Sequence, residues 1–134
     1  MSIGPVSGNG IPITLPTGKT IFWSVTVQAA NEQYICVKDS QQNQIFSTQG
    51  ASSGGGQPTQ IAQGIFQAAD PTGNYTVYLD TNGGSQWSKV IYDNDTLTLG
   101  ATVYYGQYTF ITEDSTDNDY NDTCLQINWF QSLG

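Results

Sequence analysis

The chain has 134 residues, the size of one domain, and sets eleven acidic residues against three lysines, with no arginine and no histidine, for a net charge of −8. That balance excludes nucleic acid as a partner, because phosphate binding needs a basic face, and it disfavours anionic membrane surfaces for the same reason. Only 10% of the residues are charged and 37% hydrophobic, with sixteen aromatics to pack, a composition of folded, turn-rich all-β domains and not of disordered chains.

The N-terminus, Met1-Ser-Ile-Gly-Pro, has neither the basic nor the apolar region of an export signal, and no apolar run approaches the roughly 18 residues that span a bilayer. The expectation is a protein without membrane insertion, cytoplasmic or exported by a route that uses no signal peptide. Helical periodicity is missing, while period-two alternation recurs. Trp23, Val25 and Val27 alternate with Ser24, Thr26 and Gln28, and Tyr75, Val77 and Leu79 alternate with Thr76 and Tyr78. Further strand-like runs lie at 34–37, 45–48, 59–66, 87–92, 96–99, 102–105, 108–112 and 123–130. Turn chemistry separates them at 16–18, 39–43, 70–73, 81–84 and 93–95, and the Gly/Ser-rich stretch 50–56 reads as a long loop inside one domain. Short strands at this spacing predict an all-β fold, an antiparallel β-sandwich of about nine strands, as a single domain over 1–134.

Cys36 and Cys124 both fall in strand-like runs, where they either bridge two strands or sit as small buried residues. The sequons at Asn74, Asn94 and Asn121 read as accidental, since a glycan on Asn121 would sit on the acidic stretch that follows.

Residues 113–122 read Glu-Asp-Ser-Thr-Asp-Asn-Asp-Tyr-Asn-Asp, which places five of the eleven carboxylates in ten positions with no basic residue nearby. Each close pair of like charges at about 4 Å costs on the order of 1 kcal/mol in water and several times that at a protein surface. Strands at 108–112 and 123–130 hold both ends of the loop and limit how far it can relax, so a folded loop of this kind calls for a cation. The donors are carboxylate and amide oxygens only, which suits calcium and not zinc or copper. Asp117, Asp119 and Asn121 imitate the first three ligands of an EF-hand loop, but the position that needs Gly holds Asp122 and the one that needs a bidentate Glu holds Asn128. Five carboxylates and an amide exceed what one ion takes, which points to two adjacent ions sharing Asp119 and Asp122.

The same stretch, followed by Ile127-Asn-Trp129 and a final Leu133-Gly134, closely resembles the C-terminus of the calcium-dependent bacterial fucose- and mannose-binding lectins of the Pseudomonas aeruginosa fucose-lectin type. The specific match is confined to this stretch, with a loose likeness in strand layout before it. The resemblance implies a nine-stranded β-sandwich that forms a homodimer or homotetramer and coordinates the hydroxyls of one monosaccharide through two neighbouring calcium ions. Carried over by position, Glu113, Asp117, Asp119 and Asp122 are ligands of one ion, and Asp119, Asn121 and Asp122 of the other. Asp114 hydrogen-bonds the sugar, beside Asp117, Asp119 and Asp122. The family draws a further ligand from an Asn of an early loop, for which Asn31 in Ala29-Ala-Asn-Glu-Gln33 is the candidate for both metal and sugar. There Glu32 stands where the family has a small residue. The family also ends Trp-Pro-Leu-Gly and places the terminal carboxylate in the partner subunit's site. That role falls to Gly134, although Phe130-Gln-Ser replaces the proline here.

The expected partners are therefore glycans and monosaccharides of the fucose or mannose type. The residues alone leave two further readings open: a solvated acidic turn, and a calcium that only staples the hairpin of a structural or interaction protein. An enzyme using paired carboxylates, as in glycosidases, fits poorly, because the carboxylates cluster in one loop instead of facing each other across a cleft.

Overall fold

The computed structural model describes residues 1–81 and 85–134. Its strands are β1 (Ile3–Ser7), β2 (Asn9–Thr14), β3 (Thr20–Val27), β4 (Gln33–Asp39), β5 (Gln44–Gly50), β6 (Thr59–Gln67), β7 (Asn74–Thr81), β8 (Gln86–Trp87), β9 (Lys89–Leu99), β10 (Thr102–Glu113) and β11 (Thr123–Phe130). They form two sheets, one in the order β1-β9-β10-β11-β3-β6 and one in the order β2-β7-β4-β5 with β8 beside β7. Every pairing among the described residues is antiparallel. The two sheets stack as the predicted sandwich, with eleven strands in place of about nine.

The alternation dictates the core. From the large sheet, Ile21, Val25, Val27, Phe110, Leu125 and Ile127 point inward; Ile11, Ile13, Ile35, Val37, Val77 and Leu79 meet them from the small one, all nearly or fully buried. Each such side chain contributes roughly 1.5–3 kcal/mol by leaving water. Trp23 of β3 and Phe46 of β5 stack across the two sheets with centroids 3.9 Å apart.

Three features differ from the sequence expectation. Strands β1 and β2 lie where no strand was predicted; prolines and glycines mask the alternation of Ile11, Ile13 and Leu15, and β2 tolerates Pro12 because it is an edge strand paired only with β7. The turn expected at 93–95 is continuous strand: Asp93, Asn94 and Asp95 pair with Thr109, Tyr108 and Gln107. The runs 102–105 and 108–112 are likewise one strand, β10. The turn expected at 81–84 falls largely outside the described residues. Cys36 and Cys124 are free. Cys36 is buried and Cys124 half-buried, on strands β4 and β11 of different sheets.

The strand directions collect the loops at two ends. At one end, Gln28 N donates to Asp122 O (3.0 Å) and Ser52 N to Ala29 O (2.8 Å), joining the connections after β3, β5 and β10. At the other, the Thr17 hydroxyl donates to Asp70 O (2.8 Å) and Ser40 N to the Asp70 carboxylate (2.7 Å), and the chain end joins them through the Lys19 ammonium on Gln131 O.

Candidate functional site

The acidic stretch is the connection between β10 and β11, with Glu113 as the last residue of β10. Glu113 is only 1% exposed although it is charged. Its carboxylate organises the loop: Oε1 accepts from Tyr120 N (3.0 Å), and Oε2 accepts from the backbone N–H and the hydroxyl of Ser115 (both 3.1 Å). That grip holds Tyr120 at φ 52°, a left-handed conformation that a bulky side chain rarely takes, while Asn118 at φ 58° tolerates it better. Asp122 Oδ2 accepts from Asp114 N (2.8 Å), and Asp117 Oδ1 from Asp119 N (3.4 Å). The Asn121 amide nitrogen faces both oxygens of Asp119 at 2.7 and 3.1 Å.

The result is two groups of convergent carboxylates. Glu113, Asp117 and Asp119 bring one oxygen each to within 4.8 Å of one another, and so do Glu113, Asp114 and Asp122. The protonation of the loop records the crowding. Burial, joined by the charges of Asp114 and Glu113, outweighs the Asp114 N–H bond and pushes the Asp122 carboxyl up to about 7. Contact with Glu113, with some burial, raises Asp117. Burial also acts to raise Glu113, but the Tyr120 and Ser115 N–H groups overcome it and bring the carboxyl down to about 2. Carboxylates that push one another toward the protonated form are relieved when a divalent cation replaces the protons. With no nitrogen or sulfur donor in either group, the site fits a hard, oxygen-seeking ion.

Comparison with known proteins settles the class. The model of the family described as fucose-binding lectin II (PA-IIL) matches residues 13–131. The chain belongs to this lectin family. Lectins bind carbohydrate without transforming it, so the protein is a carbohydrate-binding protein and not an enzyme. The C-terminal domain of the BC2L-C lectin from Burkholderia cenocepacia has a similar structure, with TM-score 0.72 and 22% identity over 96% of this chain and 100% of that one. So do the Chromobacterium violaceum lectin CV2L, solved with alpha-methyl-fucoside (TM-score 0.70, 23% identity, 92% and 96% covered), and a Ralstonia solanacearum high-affinity mannose-binding lectin (0.67, 21%, 92% and 96%). At these identities the structural likeness speaks for the fold alone. No curated protein sequence matches the chain.

Of the residues expected in this lectin's site, Glu113, Asp114, Asp117, Asp119, Asn121 and Asp122 come together in one loop. The two carboxylate groups share Glu113, whereas the family carry-over has the ions share Asp119 and Asp122. Asp114, expected as a sugar contact, belongs to the second group. Asn31 lies on the β3–β4 turn at the same end, tied to Asp114 through one side chain: Gln33 Nε2 donates to Asn31 O (3.2 Å) and to Asp114 Oδ2 (2.9 Å). Gly134 is not brought to the loop. It follows β11, an eight-residue strand of roughly 25 Å, at the opposite end of the sandwich from the loop that precedes that strand.

Two contributors escaped the sequence reading. The loop has a basic neighbour after all, because Glu113 pairs in register with Lys89; Lys89 Nζ donates to Asn118 Oδ1 (3.0 Å) and lies 5.9 Å over the Tyr120 ring. Gln33 is the other, buried to 1% exposure. Its one visible signal was a polar residue at an inward position of a strand, in phase with Ile35 and Val37.

Proposed function

We propose that the lectin binds neutral monosaccharides of the fucose or mannose type through two calcium ions held by the 113–122 loop. The observation that carries this reading is the convergence of Glu113, Asp117 and Asp119 into one oxygen-only group, with Asp122 brought to the same Glu113 in a second. Glu113, Asp117, Asp119, Asn121 and Asp122 would hold the ions. When bound, calcium supplies open coordination positions that vicinal sugar hydroxyls fill as neutral oxygen donors. Asp114, with one oxygen engaged by Gln33, keeps the other for a sugar hydroxyl. Asn31 adds its amide from the neighbouring turn, and Glu32 beside it brings a carboxylate to the rim that disfavours anionic sugars. We further propose a homodimer or homotetramer in which the Gly134 carboxylate of one subunit enters the site of the next, since its own site lies at the far end of β11.

A thermal-shift matrix of calcium, chelator and simple sugars tests this reading. Fucose or mannose at about 100 times its dissociation constant adds about 2.7 kcal/mol, on the order of 10 °C for a chain of this size, with calcium present and nothing in chelator. Calcium stabilisation without a response to fucose, mannose or galactose would reduce the loop to a staple of a structural protein.

A further inference from the structure

We propose that Gln33 is a positioning residue of the sugar site, one that reserves Asp114 for carbohydrate by keeping it out of the ion's coordination sphere; this rests on the calcium-dependent reading above. Asp114 shares with Glu113 and Asp122 the spacing of a metal site, and a free carboxylate there would be drawn onto the cation. The Gln33 amide opposes this by holding one of the two oxygens. Its nitrogen donates to Asp114 Oδ2 (2.9 Å) and to Asn31 O (3.2 Å), two groups that only accept in their ionised and carbonyl forms. This fixes which way the amide points. Its oxygen then accepts from the hydroxyl of Thr123 (2.9 Å), which is 2% exposed. Both donors and the acceptor of Gln33 are thereby used in a buried setting, where a lost partner is costly and rotation is correspondingly rare.

Gln33 spans 81 positions to reach Asp114 and links the two segments that meet the ligand, the 28–32 turn and the acidic loop. With Oδ2 held by the amide, and the Asp114 N–H already given to Asp122 Oδ2, the free oxygen of Asp114 is the one available to a hydroxyl. The substitution Gln33→Met keeps the length and removes both donors. It leaves Glu113, Asp117, Asp119, Asn121 and Asp122 in place and frees Asp114 to turn toward the cation.

The expected signature is a split that a purely structural role would not give. Calcium affinity, read by terbium luminescence and calorimetry without sugar, is unchanged or tighter, while affinity for methyl fucoside and methyl mannoside in saturating calcium falls about tenfold, the scale on which groups that orient ligands act. Gln33→Glu, the same shape with a carboxylate against Asp114, shows the same split and serves if Gln33→Met does not fold. Thr123→Val removes only the bond to the amide oxygen and has the smaller effect on sugar. In an Asp114→Ala background, Gln33→Met has no further effect on sugar affinity. Equal loss of calcium and sugar affinity, or sugar affinity unchanged in a folded Gln33 variant, overturns the proposal. A wild-type protein that binds calcium but none of these sugars overturns the parent reading instead.

Discussion

Carboxylates at the two ends of the sandwich live in opposite surroundings. Asp122 sits among other acids and is pushed toward protonation. Asp70 sits among donors: Oδ2 accepts from Ser40 N (2.7 Å), and Oδ1 from the N–H (2.8 Å) and hydroxyl (2.7 Å) of Thr72. Ser40 first, and then Thr72, hold the Asp70 carboxyl well below the usual carboxylate range. A carboxyl depressed in the folded state binds its proton more readily in the unfolded chain. Its stabilisation is therefore complete above the unfolded value near about 4 and is lost as pH falls below it. Asp70→Asn offers one acceptor oxygen and turns an N–H toward a donor. Urea denaturation should find the variant less stable than wild type at about pH 7, with the gap narrowing toward about pH 3. A gap that stays constant with pH would mean that the charge on Asp70 does not matter.

At the scale of elements, two tryptophans lie over two glycines of the large sheet. Trp129 pairs across strands with Gly106, and Trp23 with Gly64. A Cβ built on Gly106 would stand 2.2 Å from the Trp129 ring, and one on Gly64 would stand 2.7 Å from that of Trp23. The glycines let each indole lie flat on the neighbouring strand, so a residue that ordinarily weakens a strand is here a packing partner. Gly106→Ala should cost about 1–3 kcal/mol by overpacking. Most of that cost should vanish when Trp129→Leu opens the space, as a double-mutant cycle in urea would measure; two costs that simply add would show that the indole is not the obstacle. This packing also bears on what a reading of sequence can reach. Strands such as β3, β7 and β11 announce themselves because alternation over a buried face is local. Strands β1 and β2 do not, because Pro5, Pro12, Gly4 and Gly10 interrupt them, Gly8 separates them, and each depends on pairing with a strand distant in sequence. The turn expected at 93–95 fails for a related reason, since the ladder with β10 overrides the turn preference of Asp and Asn. The acidic loop was readable as a site because its donors are neighbours in sequence. Lys89 reaches it only through strand register, and Gln33 only across the two sheets, which no local pattern records.

At the scale of the whole molecule, β11 separates the loop at its start from Gly134 beyond its finish, and in the proposed dimer Gly134 would serve the site of the other copy. Two defective chains should then repair each other. A chain with Asp119→Ala keeps its tail and loses its loop; a chain lacking residues 133–134 keeps its loop and loses its tail. Alone, each should bind methyl fucoside or methyl mannoside in calcium weakly. Refolded together as dimers, they pair at random, half of the dimers are mixed, and each mixed dimer has one loop supplied with a tail. Sugar-binding capacity by calorimetry should therefore recover to about a quarter of the wild-type value. A mixture no better than the mean of its parts, or a tail-less chain that binds as well as wild type, would remove Gly134 from the site and leave the 113–122 loop with Asn31 as the complete binding unit of each subunit.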